Sequence, residues 1–165
     1  MKLDPLHPWN RELIRDCSAR ARQRGFVGAA MLAPPKGTNP YWELGSHPEV
    51  VERVWDVLGA RLRDECRALI YGAPGLVDPG SGAVLAVAYG TSYVIRVANR
   101  RLEDALQADC CIEQTWSDGT TTNIEHTFGR GWVFGHWLPQ EVDWVAEALR
   151  DAAGLSDPPI SGWRP

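Results

Sequence analysis

Ala83-Val84-Leu85-Ala86-Val87-Ala88-Tyr89-Gly90-Thr91-Ser92-Tyr93-Val94-Ile95-Arg96-Val97 is the stretch on which the fold turns. Two short runs rich in Val, Ile, Leu and Tyr flank Gly90-Thr91, and such runs bounded by turn residues read as β-strands joined in a hairpin. Working outward, Cys66 to Tyr71 is a third run of the same kind. Between it and Ala83 lies Gly72-Ala73-Pro74-Gly75-Leu76-Val77-Asp78-Pro79-Gly80-Ser81-Gly82, with four Gly and two Pro in eleven residues, which reads as a loop long enough to line a site. Further on, Cys110 to Trp116 and Thr120 to Phe128 enclose Ser117-Asp118-Gly119, and Asp-Gly between strand-like runs signals a second hairpin. Trp132 to Trp137 completes the strands. Trp132, Phe134 and His136 fall on one side and Val133 and Trp137 on the other, and this heavy loading of both faces predicts a central strand.

Helices stand around these runs. Asn10 is placed as the N-cap of a helix to about Arg24, with Leu13, Ile14, Cys17 and Ala21 at helical spacing and Gly25 just past its end. Its arginines Arg20, Arg22 and Arg24 suit the negative end of the helix dipole. Phe26 to Leu32 reads as a short strand, followed by a Pro-rich loop that suggests residues 1–40 form an N-terminal appendage. Ser46-His47-Pro48-Glu49 is a capping box opening a helix over about 47–65, with Val51, Val54, Trp55, Leu58 and Leu62 on one face. Asn99 caps a short helix containing Leu102, Ala105 and Leu106. Pro139 opens a last one with Val142, Val145, Ala146 and Leu149 inward, and 157–165 form a loose tail. Strands clustered by tight turns, instead of alternating with helices, predict an α+β fold. The expectation is a mostly antiparallel sheet of about five to six short strands with three to four flanking helices.

Composition fits one domain of this kind. The 165 residues are 44% hydrophobic and 23% charged, with eight Trp, so there is enough apolar side chain for a core without staples. Four cysteines, Cys17, Cys66, Cys110 and Cys111, are expected to be reduced and mostly buried, and adjacent Cys110 and Cys111 on one strand would face opposite sides. The longest apolar stretches fall far short of the ~20 residues needed to span a bilayer. Met1 to Asn10 lacks the apolar run of an export signal, giving a cytoplasmic expectation with no membrane partner.

Charge is uneven. Residues 1–36 carry seven bases and three acids, a balance of +4 within a total of −4, leaving −8 for the rest. Between Leu102 and Leu149 stand nine acids and one base, Arg130, interleaved with Trp116, Phe128, Trp132, Phe134, Trp137 and Trp144. Such a surface disfavours phosphate backbones and favours cationic partners, so nucleic acid is not an expected partner. Trp116 beside the Asp118 turn, with Trp42 and Trp163 in predicted loops, are the candidates for exposed anchors.

Catalytic motifs are absent. The Gly72 to Gly82 segment has no Lys-Ser/Thr ending and no following helix, so it does not meet phosphate-loop spacing. Glu125, His126 and His136, with Cys110 or Cys111, are the best assembly for acid–base or nucleophilic work. Glu125 and His126 would face opposite sides of a strand, however, and no paired spacing for zinc exists, so neither metal nor cofactor is expected. Glu113 and Glu125 fall opposite each other across the predicted hairpin, where a cation between them would relieve their repulsion.

The leading expectation is a non-enzymatic binding domain whose acidic hairpin, Glu113, Trp116, Asp118 and Glu125, contacts a basic protein partner. In size, acidity and lack of motifs the chain is similar to bacterial immunity proteins and antitoxins, an analogy that implies inhibition of a basic toxin or enzyme. The alternatives are a small hydrolase-like enzyme using His126 and His136 near the Gly72 to Gly82 loop, and a small-ligand sensor with an aromatic pocket. Oligomeric state has no signature in the sequence.

Overall fold

A computed structural model of the chain describes residues 3–23, 31–32, 48–60, 62–90, 92–97, 102–107, 110–136, 144–145 and 148–149. The hairpin read from residues 83–97 is its centre. Strand β4, Val84–Tyr89, pairs antiparallel with β5, Ser92–Arg96, in the register Ala86↔Ile95 to Tyr89↔Ser92. On the β4 side follow β3 (Ala73–Val77), β2 (Arg67–Ile70) and β1 (Met31–Leu32), and on the β5 side β8 (Trp132–Gly135), giving one antiparallel sheet of six strands in the order β1-β2-β3-β4-β5-β8. A separate two-stranded sheet is formed by β6 (Glu113–Thr115) and β7 (Thr121–Asn123). The fold is α+β, as the clustering of strands implies.

Both faces of the large sheet are covered. Leu69, Leu76, Leu85, Tyr93, Ile95 and Val133 pack under the helical segment of Val50 to Leu58, together with Ala105, Val145 and Leu149. Ile70, Val77, Val84, Val87, Trp132 and Phe134 pack under Leu13 and Cys17 of α1 (Arg11–Gln23) and Ile124 and Phe128 of α4 (Ile124–Phe128). An antiparallel sheet often leaves one face to water; covering both makes the strands read as continuous apolar runs. A bulge between Leu76↔Ala86 and Val77↔Val84 inserts Leu85, so that Leu85 and Ala86 both point into the same cluster.

Five expectations change here. Of the Gly72 to Gly82 loop, Ala73–Val77 form strand β3, buried between β2 and β4, and 78–82 remain a loop. Strand β3 is reached by a two-residue turn in which Tyr71 (φ 50°) and Gly72 (φ 84°) are both left-handed, the geometry that suits the twist of a hairpin. Pro74 fits because the β3–β4 register begins at Gly75, beyond its missing N–H. Strand β8 is the last in the order and not central: its faces are heavy because helices cover both, and among the described residues its outer edge is met by the bridge Cys111↔Phe134.

The helix expected over 47–65 is α2 (Pro48–Glu52) continued by a π-helical turn, Arg53–Leu58, closed by Gly59 N–H donating to the Val54 carbonyl at 3.0 Å. Glycine is required at 59, because a Cβ there would meet the Trp55 carbonyl oxygen at 2.6 Å and Leu76 Cδ2 at 2.9 Å. Trp55 ties the segment to the sheet by donating its indole N–H to the Gly75 carbonyl at 2.9 Å, and Asp56 pairs with buried Arg67 at 2.8 Å.

Thr120 to Phe128, expected as one strand, divides into β7 and the short helix α4, because Asn123 caps the helix by accepting from His126 N–H at 3.1 Å. At the other terminus α1 starts where expected, but the Asn10 side chain is not its cap. It is fully buried, donating from Nδ2 to the Asp4 and Gly82 carbonyls at 2.7 and 2.8 Å and accepting from Val84 N–H at 2.8 Å. Helix α3 is Leu102–Gln107, and residues 144–145 and 148–149 are helical. Asn99, Phe26, Pro139 and the tail lie outside the described residues. Among the described residues no helix is long and apolar enough to cross a membrane.

Candidate functional site

The β6–β7 hairpin carries most of the residues singled out as binding candidates. Its tip is a three-residue loop: Gly119 N–H donates to the Trp116 carbonyl at 2.9 Å, and Trp116 N–H to the Thr120 carbonyl at 2.8 Å. Only Gly119 (φ 86°) takes a left-handed conformation, so Asp-Gly works here as a turn followed by a glycine bulge and not as a two-residue mirror-image turn. The Asp118 carboxylate folds back to accept from Thr120 N–H at 2.9 Å and Thr120 Oγ1–H at 2.6 Å. These two donors hold its pKa below the ordinary carboxylate value although the group is fully exposed. Glu113 opens β6 and is exposed, with Asn123, its cross-strand neighbour, at 3.5 Å from Oε1.

Trp116 is not the exposed anchor expected of it. It is half-buried, stacked on Tyr89 at 5.8 Å and 15°, and edge-on to Phe134 at 6.0 Å, with its indole N–H donating to Thr122 Oγ1 at 2.8 Å. A Cβ at Gly90 would meet its ring at 3.1 Å, so the β4–β5 turn is shaped to receive it. Arg20 of α1 holds its guanidinium 4.1 Å from the Tyr89 ring centroid and pairs with Asp16 at 2.8 Å. Burial pushes the Tyr89 phenol up, and Asp16 adds to it. Trp116 therefore braces the hairpin against the sheet. Trp42 and Trp163 lie outside the described residues.

The expected facing of Glu113 and Glu125 does not occur. Glu113 faces Asn123, and Glu125 sits half-buried in the first turn of α4 beside exposed His126. The acidic run is also divided by the sheet. Glu103 and Asp104 belong to α3, whose Ala105 packs on one face, while Trp116 of the hairpin packs on the other. Asp109, Glu141, Asp143 and Glu147 lie outside the described residues.

Of the catalytic assembly, one pair is brought together. Cys110 is buried in the cluster under α2, whereas half-buried Cys111 packs on the opposite face, as adjacency requires. There its Sγ lies 3.3 Å from His136 Nε2 and 2.9 Å from the Glu113 carbonyl oxygen. His126 and Glu125 are on α4 and are not part of this contact. No group of three or more His, Cys, Asp or Glu side chains with metal-binding geometry exists among the described residues. Of the Gly72 to Gly82 segment, Ala73–Val77 are strand β3, and 78–82 remain as the loop to β4, closed by Gly82 N–H donating to the Asp78 carbonyl at 2.7 Å. Compared with known protein families, curated proteins and solved structures, the chain matches none.

Proposed function

We propose that the chain is a non-enzymatic protein-binding domain that engages a basic protein partner through the β6–β7 hairpin. One observation carries this reading: the hairpin is a sheet of its own, braced by Trp116, with Glu113 and Asp118 exposed on it. The brace lets the hairpin present charge without losing order on binding, which lowers the entropic cost of association. Asp118, fixed by Thr120, stays ionised throughout the physiological range. Glu125 lies in α4, directly after β7. Acidity and small size favour a partner whose own working surface is cationic, as in inhibitors of the immunity or antitoxin kind acting in the cytoplasm.

The test compares two charge reversals of equal size on opposite faces. After a partner is captured with the tagged protein and purified, its affinity is measured for wild type, for E113K/D118K and for E103K/D104K on α3. The expected result is a loss of about tenfold or more at low salt for the hairpin pair, shrinking as salt is added, and little change for the α3 pair. Equal losses for both pairs would reduce the effect to net charge, and no loss for the hairpin pair would remove the proposed surface.

A further inference from the structure

The contact between Cys111 and His136 is independent of the hairpin's charge and has chemistry of its own. Three of the four cysteines, Cys17, Cys66 and Cys110, are buried. Burial pushes the Cys66 thiol up to about 11, which makes it a poor nucleophile at neutral pH. Cys111 differs in being half-buried and in having an imidazole nitrogen 3.3 Å from its sulfur. Both groups are held by backbone: Cys111 N–H donates to the Phe134 carbonyl at 3.0 Å and Phe134 N–H to the Cys111 carbonyl at 2.7 Å, and His136 follows β8 directly. The pairing is thus set by the sheet edge.

We propose that Cys111 and His136 form a reactive thiol–imidazole site that exchanges with small disulfides. Acceptors in reach of the thiol proton include the Glu113 carbonyl oxygen, 2.9 Å from the sulfur, and His136 Nε2 at 3.3 Å. The bond to the carbonyl keeps the neutral thiol; transfer of the proton to Nε2 leaves a thiolate beside an imidazolium. That thiolate attacks one sulfur of the incoming disulfide. A Cys111 mixed disulfide forms, the S–S bond of the substrate breaks, and the departing thiolate takes the proton from His136. No outside oxidant is needed, because the substrate disulfide is the half that is reduced.

The surroundings suit an uncharged disulfide more than an anionic one. Phe134 lies beside Cys111, and Trp116 and Tyr89 pack edge-on against Phe134 at 6.0 and 5.6 Å. Among the described residues, the charged groups near this cluster include Glu113, two residues along the chain from Cys111, and the Arg20–Asp16 pair across Tyr89.

The folded protein is mixed with the uncharged disulfide 2,2′-dithiodipyridine in stopped flow from pH 5.5 to 9, and the labelled cysteine is identified by mass spectrometry. The expected result is one fast equivalent on Cys111, absent in Cys111→Ser, whose rate stays appreciable below pH 7. His136→Asn slows it by about fivefold at pH 6.5, the net of a smaller thiolate fraction and a more nucleophilic thiolate, and returns the rate profile to that of an ordinary thiol near ~8.5. A wild-type profile already that of an ordinary thiol, or one unchanged in His136→Asn, overturns the proposal. His136→Gln provides the same comparison if the Asn variant does not fold, and the wild-type profile alone remains decisive if neither does.

Discussion

Asn10 shows how one polar residue can hold two distant parts of the chain. Sequence spacing marks it as a helix cap, and its main-chain carbonyl does accept from Ile14 N–H at 2.8 Å, but its side chain serves the β3–β4 connection seventy-two residues away. The Asp4 and Gly82 carbonyls each keep a second donor, His7 N–H and Asp4 N–H at 3.1 Å, so the bond whose loss orphans a buried group is the one from Val84 N–H. Asn10→Ala strands that N–H and takes one of two donors from each carbonyl, and the expected loss is roughly 1 to 3 kcal/mol by urea denaturation. Asn10→Asp separates hydrogen bonding from shape. It retains the acceptor for Val84 but turns a donor into a carboxylate facing two carbonyl oxygens. Burial among acceptors raises the native pKa of that carboxyl, so the deficit of the variant grows as pH rises through that value and shrinks on acidification, when the protonated group donates again. Urea midpoints for both proteins at pH 4.5 and 7.5 measure this. A variant as stable as wild type at both would show that these bonds do not hold the N-terminal segment to the sheet.

At the scale of elements, the hairpin turn offers the titration. The native Asp118 pKa lies below the ordinary value, owing first to the Thr120 hydroxyl and then to the Thr120 N–H. A depressed carboxyl stabilises the fold at pH above its unfolded value of about 3.9 and loses that contribution as pH falls through the native value. Thr120→Val removes the hydroxyl donor and keeps the amide, so the Asp118 carboxyl resonance is expected to titrate at higher pH than in wild type but still below the ordinary value. An unchanged titration would assign the shift to something other than this loop. The same hairpin shows what was legible. Asp118-Gly119 announced a turn, and β4 and β5 came out within a residue of their apolar runs, because turn residues and β-branched stretches are local signals. Strand β3 was hidden by Pro74 and Gly75, which read as loop until the register shows that Pro74 falls outside the β4 ladder. Helix α4 was hidden by its length of five residues, although Asn123 carried the cap signal. The Cys111–His136 contact had no short-range signal at all, since it depends on β8 bridging to Cys111 across a register that only the assembled sheet defines.

The molecule as a whole has two apolar layers divided by one sheet, and the strands belong to both. In β4, Val84 and Val87 enter the cluster under α1 and α4, while Leu85, Ala86 and Ala88 enter the cluster under the π-helical segment; β5 divides Val94 from Tyr93 and Ile95 in the same way. A strand cannot keep one set in place while releasing the other, because alternation ties them to a single backbone. The two layers are therefore expected to unfold as one unit, and a defect in either should weaken both. Trp55 reports on one layer and Trp132 on the other, each at most 5% exposed. Leu13→Ala empties a site under α1 and Leu58→Ala one at the end of the π-helical turn, each at a cost of about 2 to 5 kcal/mol. With fluorotryptophan incorporated, the native resonances of Trp55 and Trp132 should vanish at one urea midpoint in wild type, and both should move to the same lower midpoint in each variant. If Leu13→Ala instead moved Trp132 alone, α1 and α4 would be a cover that peels from a sheet stable without them, and the shared strands would not be what makes the layers cooperative.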